Sequence, residues 1–161
     1  MAREGGDGAV SPSKVRVATV LQKSALVDAM LAGIATLPLG SPAAFSLDPR
    51  DVAAAESYVR RALEALLDLG RHILSKGLGQ GALEYKQVAI ALRRAGVLDE
   101  HNGAVLFEMA GYRNRLVHFY DEVGAAELYE ISAHRLEDVR AVRQALLEWL
   151  REHPERVDGE L

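Results

Sequence analysis

Residues 48–77 read DPRDVAAAESYVRRALEALLDLGRHILSKG, and this stretch decides the fold class. Asp48 can cap a helix, Pro49 suits the first helical position, and Asp51 complements the positive end of the helix dipole. Apolar residues then return at three- and four-residue steps: Val52, Ala55, Val59, Ala62, Leu63, Leu66, Leu67 and Ile73. That is the period of one buried helical face. Lys76 and Gly77 supply the basic residue and the glycine that close a helix.

The same period continues on both sides. From Val15 to Leu37 the apolar positions Val17, Val20, Leu21, Ala25, Ala29, Leu31 and Ile34 predict a helix, ended by Pro38-Leu39-Gly40-Ser41-Pro42. Downstream, a glycine-rich turn at 77–81 leads to a third helix from about Leu83 to Ala95, closed by Gly96. Asp99 or Asn102 can cap a fourth, which carries Val105, Leu106, Met109 and Leu116. A short helix follows around Glu127–Ser132, and a longer one from Arg135 to Glu152 stops at Pro154. No stretch alternates apolar and polar residues as a strand would. The predicted fold is all-α: an antiparallel bundle of four main helices plus one or two short ones. Residues 1–13 read as a disordered tail, 14–153 as one helical domain and 154–161 as a flexible C-terminal tail.

Composition narrows the function classes. The 161 residues suffice for one domain with a sizeable core. The chain has no cysteine, which excludes disulfides and thiolate metal sites and suits a reducing compartment. The N-terminal residues are polar and glycine-rich, without the apolar stretch of a signal peptide, and no apolar run approaches the roughly 20 residues of a membrane span. A cytoplasmic protein is expected. The net charge of −4 argues against a general electrostatic grip on nucleic acid. A cleft can nevertheless be locally basic, and arginines cluster at Arg93-Arg94 and at Arg113 with Arg115.

Of the five histidines, none pairs at the spacing of a helical zinc site, so no metal is expected. The glycine-rich turn lacks the Lys-Ser/Thr of a phosphate loop, and no nucleophile elbow occurs. The chemistry-bearing segment is Arg113-Asn114-Arg115-Leu116-Val117-His118-Phe119-Tyr120. On a helix Arg113 and Tyr120 share a face, whereas Arg113 and His118, about 140° apart, flank one groove. The pairing suits RNA phosphodiester cleavage. RNA supplies its own 2′-OH nucleophile, histidine can move protons near neutrality, and an arginine fork can offset the charge of a phosphorane. Asn114 can orient the phosphate or the histidine. Each residue has a plainer role open to it. Arg113 can pair with a glutamate of a neighbouring helix, Arg115 can be a solvated surface charge, and Tyr120 a core-edge aromatic. Asp68 and His72, four apart on the second helix, share a face that either meets the motif or pairs within the bundle.

The octapeptide, with Met109-Ala110-Gly111-Tyr112 before it, resembles the signature of the HepT-like toxins in the HEPN superfamily of helical ribonucleases. That pattern is Arg, a polar residue, three more positions, His, any residue, Tyr. The resemblance runs from about Val15 to Leu150 and includes the Ala65–Ile73 run and the Arg94–Leu98 turn. It implies a HEPN-like bundle and a homodimer whose two motifs face each other in a composite groove. It also implies a metal-independent endoribonuclease toxin, of a type VII-like toxin–antitoxin pair, acting on tRNA or mRNA without a cofactor. Arg113, Asn114 and His118 would be catalytic, with Asp68, His72 and Arg115 in support. The implied partner is an MntA-like minimal nucleotidyltransferase antitoxin that transfers AMP from ATP to Tyr120. Two readings from other classes stay open: a non-catalytic substrate-binding subunit of a nucleotidyltransferase, and a structural bundle with a chance motif.

Overall fold

A computed structural model describes residues 12–81, 83–118 and 120–161. Most of the expected N-terminal tail, residues 1–11, and Phe119 of the octapeptide lie outside the described residues. Among the described residues seven α-helices follow in order: α1 Val17–Ala35, α2 Pro42–Ser46, α3 Pro49–His72, α4 Tyr85–Arg94, α5 Glu100–His118, α6 Ala125–His134 and α7 Leu136–Glu152. The long ones, α1, α3, α5 and α7, are the four main helices of an all-α bundle.

The central element is α3, which touches every other helix. It begins as its sequence requires: Asp48 Oδ1 accepts the Arg50 N–H at 2.9 Å, and Pro49 occupies the first turn. It ends in a π-helical turn, Ile73–Gly77, so the helical path reaches the glycine read as its stop. Ala55, Val59, Ala62, Leu63, Leu66, Leu67 and Leu69 are buried along it. Two further ends match their local chemistry. Asp99 caps α5 by accepting the Asn102 N–H at 2.7 Å, and Gly96 closes α4 at φ +73°, a conformation glycine adopts without steric cost.

The structure corrects the sequence reading in three places. The connection between α1 and α3 contains a third short helix, α2. Pro42 starts it rather than breaking the chain, Ser41 Oγ accepts the Ala44 N–H at 3.1 Å, and Phe45 is wholly buried beside Tyr129. Helix α1 is long and apolar enough, by length and composition, to cross a membrane. The polar step Gln22-Lys23-Ser24 makes the run look shorter in the sequence than it is. In the fold, Val20, Val27, Met30, Leu31 and Ile34 are buried, and Lys23 pairs with Asp68 of α3. Finally, the segment 154–161 is docked rather than hanging free. Val15 and Val157 form a parallel bridge, Asp158 Oδ1 accepts the Val17 N–H at 2.8 Å, and Arg156 donates to the Gly77 carbonyl at 2.7 Å.

Candidate active site

Three helix ends meet at one open cavity of about 700 Å³. The end of α3 contributes Arg71. The start of α4 contributes Glu84, Tyr85 and Lys86. The last two turns of α5 contribute Gly111, Arg113, Asn114, Arg115 and His118. Four of these side chains are cationic and one, Glu84, is anionic, so the cavity is basic on a chain whose net charge is −4. The first turn of α4 adds to this. Glu84 and Gln87 form a capping box, while the N–H groups of Tyr85 and Lys86, by position, have no intrahelical acceptor.

Tyr85 organises the cavity wall. The guanidinium carbon of Arg71 lies 4.5 Å from its ring centre and that of Arg113 lies 4.8 Å from it. Such contacts hold a guanidinium flat against an aromatic face. The Tyr85 hydroxyl donates to Asp68 Oδ1 at 2.7 Å. Burial first, and then this bond to a carboxylate, push the phenol up to about 12, so it stays a neutral donor at ordinary pH. Arg71 is fixed further by donating to the Leu83 carbonyl at 3.1 Å.

Arg113 is largely buried and donates through Nε to Glu64 Oε1 of α3 at 3.1 Å. Its Nη1 reaches Asn114 Oδ1 at 3.5 Å, and Nη2 has no hydrogen-bond partner among the described residues. The guanidinium is thus clamped from one edge with donor capacity left. Arg115 lines the cavity, yet its guanidinium makes a two-pronged pair with Glu127 of α6, at 2.5 and 3.0 Å. His118, the last residue of α5, is exposed.

The family model for Ribonuclease HepT-like proteins matches residues 35–146, which contain all three contributing helix ends. The chain belongs to the HepT-like family. No curated protein matches it. Several solved structures share its fold at low identity. A chain of a toxin–antitoxin structure with AMP-PNP is 19% identical, covering 80% of this chain and 97% of its own at a TM-score of 0.71. A tri-AMPylated Shewanella oneidensis HEPN toxin in complex with an MNT antitoxin is 20% identical, covering 81% and 97% at 0.73. The Bacillus subtilis cytosolic protein YutE, of unknown function, is 19% identical, covering 84% and 91% at 0.69.

In this HepT-like chain the fold therefore brings Arg113, Asn114, Arg115 and His118 to one cavity and leaves other candidates outside it. His72 is used elsewhere in the bundle, where its Nε2 accepts the Arg16 N–H at 3.0 Å and ties the segment before α1 to α3. Burial, then the charges of Lys76 and Arg16, hold its pKa below the ordinary value. Asp68 does not line the cavity and instead anchors Tyr85, Arg71 and Lys23 behind it. Of Tyr120, the last residue of the motif, the backbone opens a 3₁₀ turn, Tyr120–Glu122; its side chain lies outside what the structure describes. The sequence reading missed Glu64, Arg71, Tyr85 and Lys86. The one local signal for the last two was their place in the first turn of a helix after a glycine-rich segment.

Proposed function

We propose that this HepT-like protein is a metal-independent endoribonuclease toxin whose activity is switched off by AMP transfer to Tyr120. The observation that carries the reading is the shared cavity: Arg113, Asn114 and His118 line one open, cation-rich space suited to a phosphodiester. The proposed chemistry runs on His and Arg side chains and calls for no metal.

In the proposed reaction the RNA 2′-oxygen attacks the adjacent phosphorus, giving up its proton to a histidine acting as base. The bond from phosphorus to the 5′-oxygen breaks, and that oxygen takes a proton from a histidine acting as acid, leaving a 2′,3′-cyclic phosphate and a 5′-hydroxyl. Arg113 binds the non-bridging oxygens and offsets charge that grows toward the transition state. One chain offers one His118. A homodimer with facing motifs supplies the second, and it doubles the local positive charge. The antitoxin step attaches the Tyr120 oxygen to the α-phosphorus of ATP, releases pyrophosphate and frees the phenolic proton. A phosphate fixed there would compete with RNA for the motif's cations. The tri-AMPylated fold relative in complex with its antitoxin supports a nucleotidyltransferase partner. A chain without cysteine suits a cytoplasmic setting for the pair.

His118→Ala and Arg113→Ala in the purified full-length protein test the reading. Both are expected to abolish RNA cleavage and to relieve growth arrest on expression. Full cleavage and toxicity in both variants overturn it, and absence of cleavage by the wild type favours the substrate-binding-subunit alternative. Co-expression with a cognate nucleotidyltransferase is expected to add AMP mass to Tyr120, located by peptide mass spectrometry; an adduct on another residue removes the regulatory half.

A further inference from the structure

The cavity contains more positive charge than one scissile phosphate requires. On the α5 side stand Arg113 and His118; on the α3–α4 side stand Arg71 and Lys86, with the first-turn N–H groups of α4 beside them. Arg71 and Arg113 share the Tyr85 ring, so their charges lie no farther apart than 4.5 and 4.8 Å laid end to end. That upper bound leaves room for the step between neighbouring phosphates of one extended strand. Lys86 is exposed, makes no ion pair among the described residues, and has its Nζ 5.4 Å from the Phe107 ring centre. Tyr85, with its hydroxyl tied to Asp68 and two guanidiniums over its ring, acts as a spacer rather than a stacking platform. Glu84 is the lining anion, and its carboxylate is engaged in capping the same helix.

We infer that Arg71, Lys86 and the first turn of α4 form a second phosphate subsite, which holds the nucleotide phosphate adjacent to the one at Arg113 and His118. This rests on the ribonuclease reading for the identity of the first subsite. It makes the ligand a single strand with at least two phosphates in register, not a mononucleotide. Arg71 and Lys86 are positioning residues for the strand, and proton transfer does not involve them.

The test uses full-length protein and 2′-O-methylated oligouridylates, which cannot be cleaved, with one, two or five phosphates. Fluorescence anisotropy is expected to show an affinity gain of roughly tenfold on going from one phosphate to two. Lys86→Ala, at an exposed position where folding is not at issue, is expected to remove that gain. It should also flatten the slope of log K against log salt for the longest probe by about 0.7, the value for one lost contact on a single strand. Arg71→Lys is expected to lose part of the gain, and Arg94→Ala, outside the cavity, to keep all of it. Binding by Lys86→Ala with the wild-type gain and slope overturns the inference. Cleavage of unmethylated RNA by the wild type, assayed in parallel, reports on the other reading. Cleavage without a Lys86-dependent gain sinks the subsite alone, and a Lys86-dependent gain without cleavage sinks the ribonuclease alone.

Discussion

Arg113 donates its Nε to Glu64 across the interface between α5 and α3, at 3.1 Å, with both side chains about three-quarters buried. This was the plainer role open to Arg113 in the sequence, and the geometry makes it compatible with the other one. A guanidinium held by one edge is presented with the opposite edge forward. Glu64→Gln keeps the shape and an acceptor oxygen while removing the charge. We expect a loss of about 1 kcal/mol in stability and a fall in RNA cleavage on the order of tenfold or more from misplacement of the fork. Urea unfolding and single-turnover cleavage read the two separately. Unchanged cleavage would show that Glu64 is a packing partner alone.

Tyr85 offers a titration with a defined direction. Its pKa is raised from 10.0 to about 12, so the folded state holds the phenolic proton where the unfolded chain has lost it. The stabilisation is fully present below about pH 10 and is lost as pH rises toward 12. Tyr85→Phe keeps the ring under both guanidiniums and removes the bond to Asp68, at a cost of about 1 kcal/mol at neutral pH. Melting temperatures between pH 9 and 12 should therefore converge for the two proteins as pH rises. Curves that stay parallel would mean that the Asp68 bond does not control the titration.

His72 behaves in the opposite sense. Its pKa is lowered, by burial first and then by Lys76, Arg16 and Lys23 against a smaller opposing effect of Asp158. Its Nε2 can accept the Arg16 N–H only while unprotonated. The stabilisation is thus present above the ordinary histidine value near 6.5 and is lost as pH falls through the lowered one. His72→Gln supplies an acceptor that does not titrate. Differential scanning calorimetry from pH 8 down to 5 should show a fall in melting temperature that is steeper for the wild type. Equal slopes would remove His72 from the pH response.

At Gly70 the backbone of α3 packs directly against side chains of α4. A Cβ there would stand 2.8 Å from Leu92 Cδ1 and 3.2 Å from Val88 Cγ1. Gly70→Ala is expected to cost about 1–3 kcal/mol from overpacking, and to weaken RNA binding because α3 and α4 carry the two halves of the Arg71–Tyr85 contact. Gly111→Ala meets only Lys86 Cε, at 3.7 Å, and should gain roughly 0.5–1 kcal/mol from helix propensity. Thermal melts distinguish the pair; a neutral Gly70→Ala would mean that the helices separate without penalty.

Much of this was legible in the chain. The Asp48-Pro49 start, the Asp99 cap and the Gly96 stop are local events governed by neighbours in sequence, and they fall where the residues place them. The HepT-like octapeptide put four polar residues at one helix end. What could not be read was convergence. Arg71 lies at the end of one helix and Tyr85 at the start of another, and nothing in either neighbourhood states that both meet Arg113. The same limit explains Asp68 and His72, which share a helix face by spacing yet serve different neighbours. Helix α2 was hidden for another reason: Pro42 breaks a helix from within but starts one from its first turn, and the buried ring of Phe45 decides between the two.

The parallel bridge between Val15 and Val157 sets the beginning and the end of the described domain side by side. The described domain is therefore nearly a ring, open at one seam and sealed there by Asp158, Arg156 and His72. A rearranged gene that joins the two by a short glycine–serine bridge and begins instead at Gly40, in the exposed turn before α2, should yield the same bundle with its order rotated.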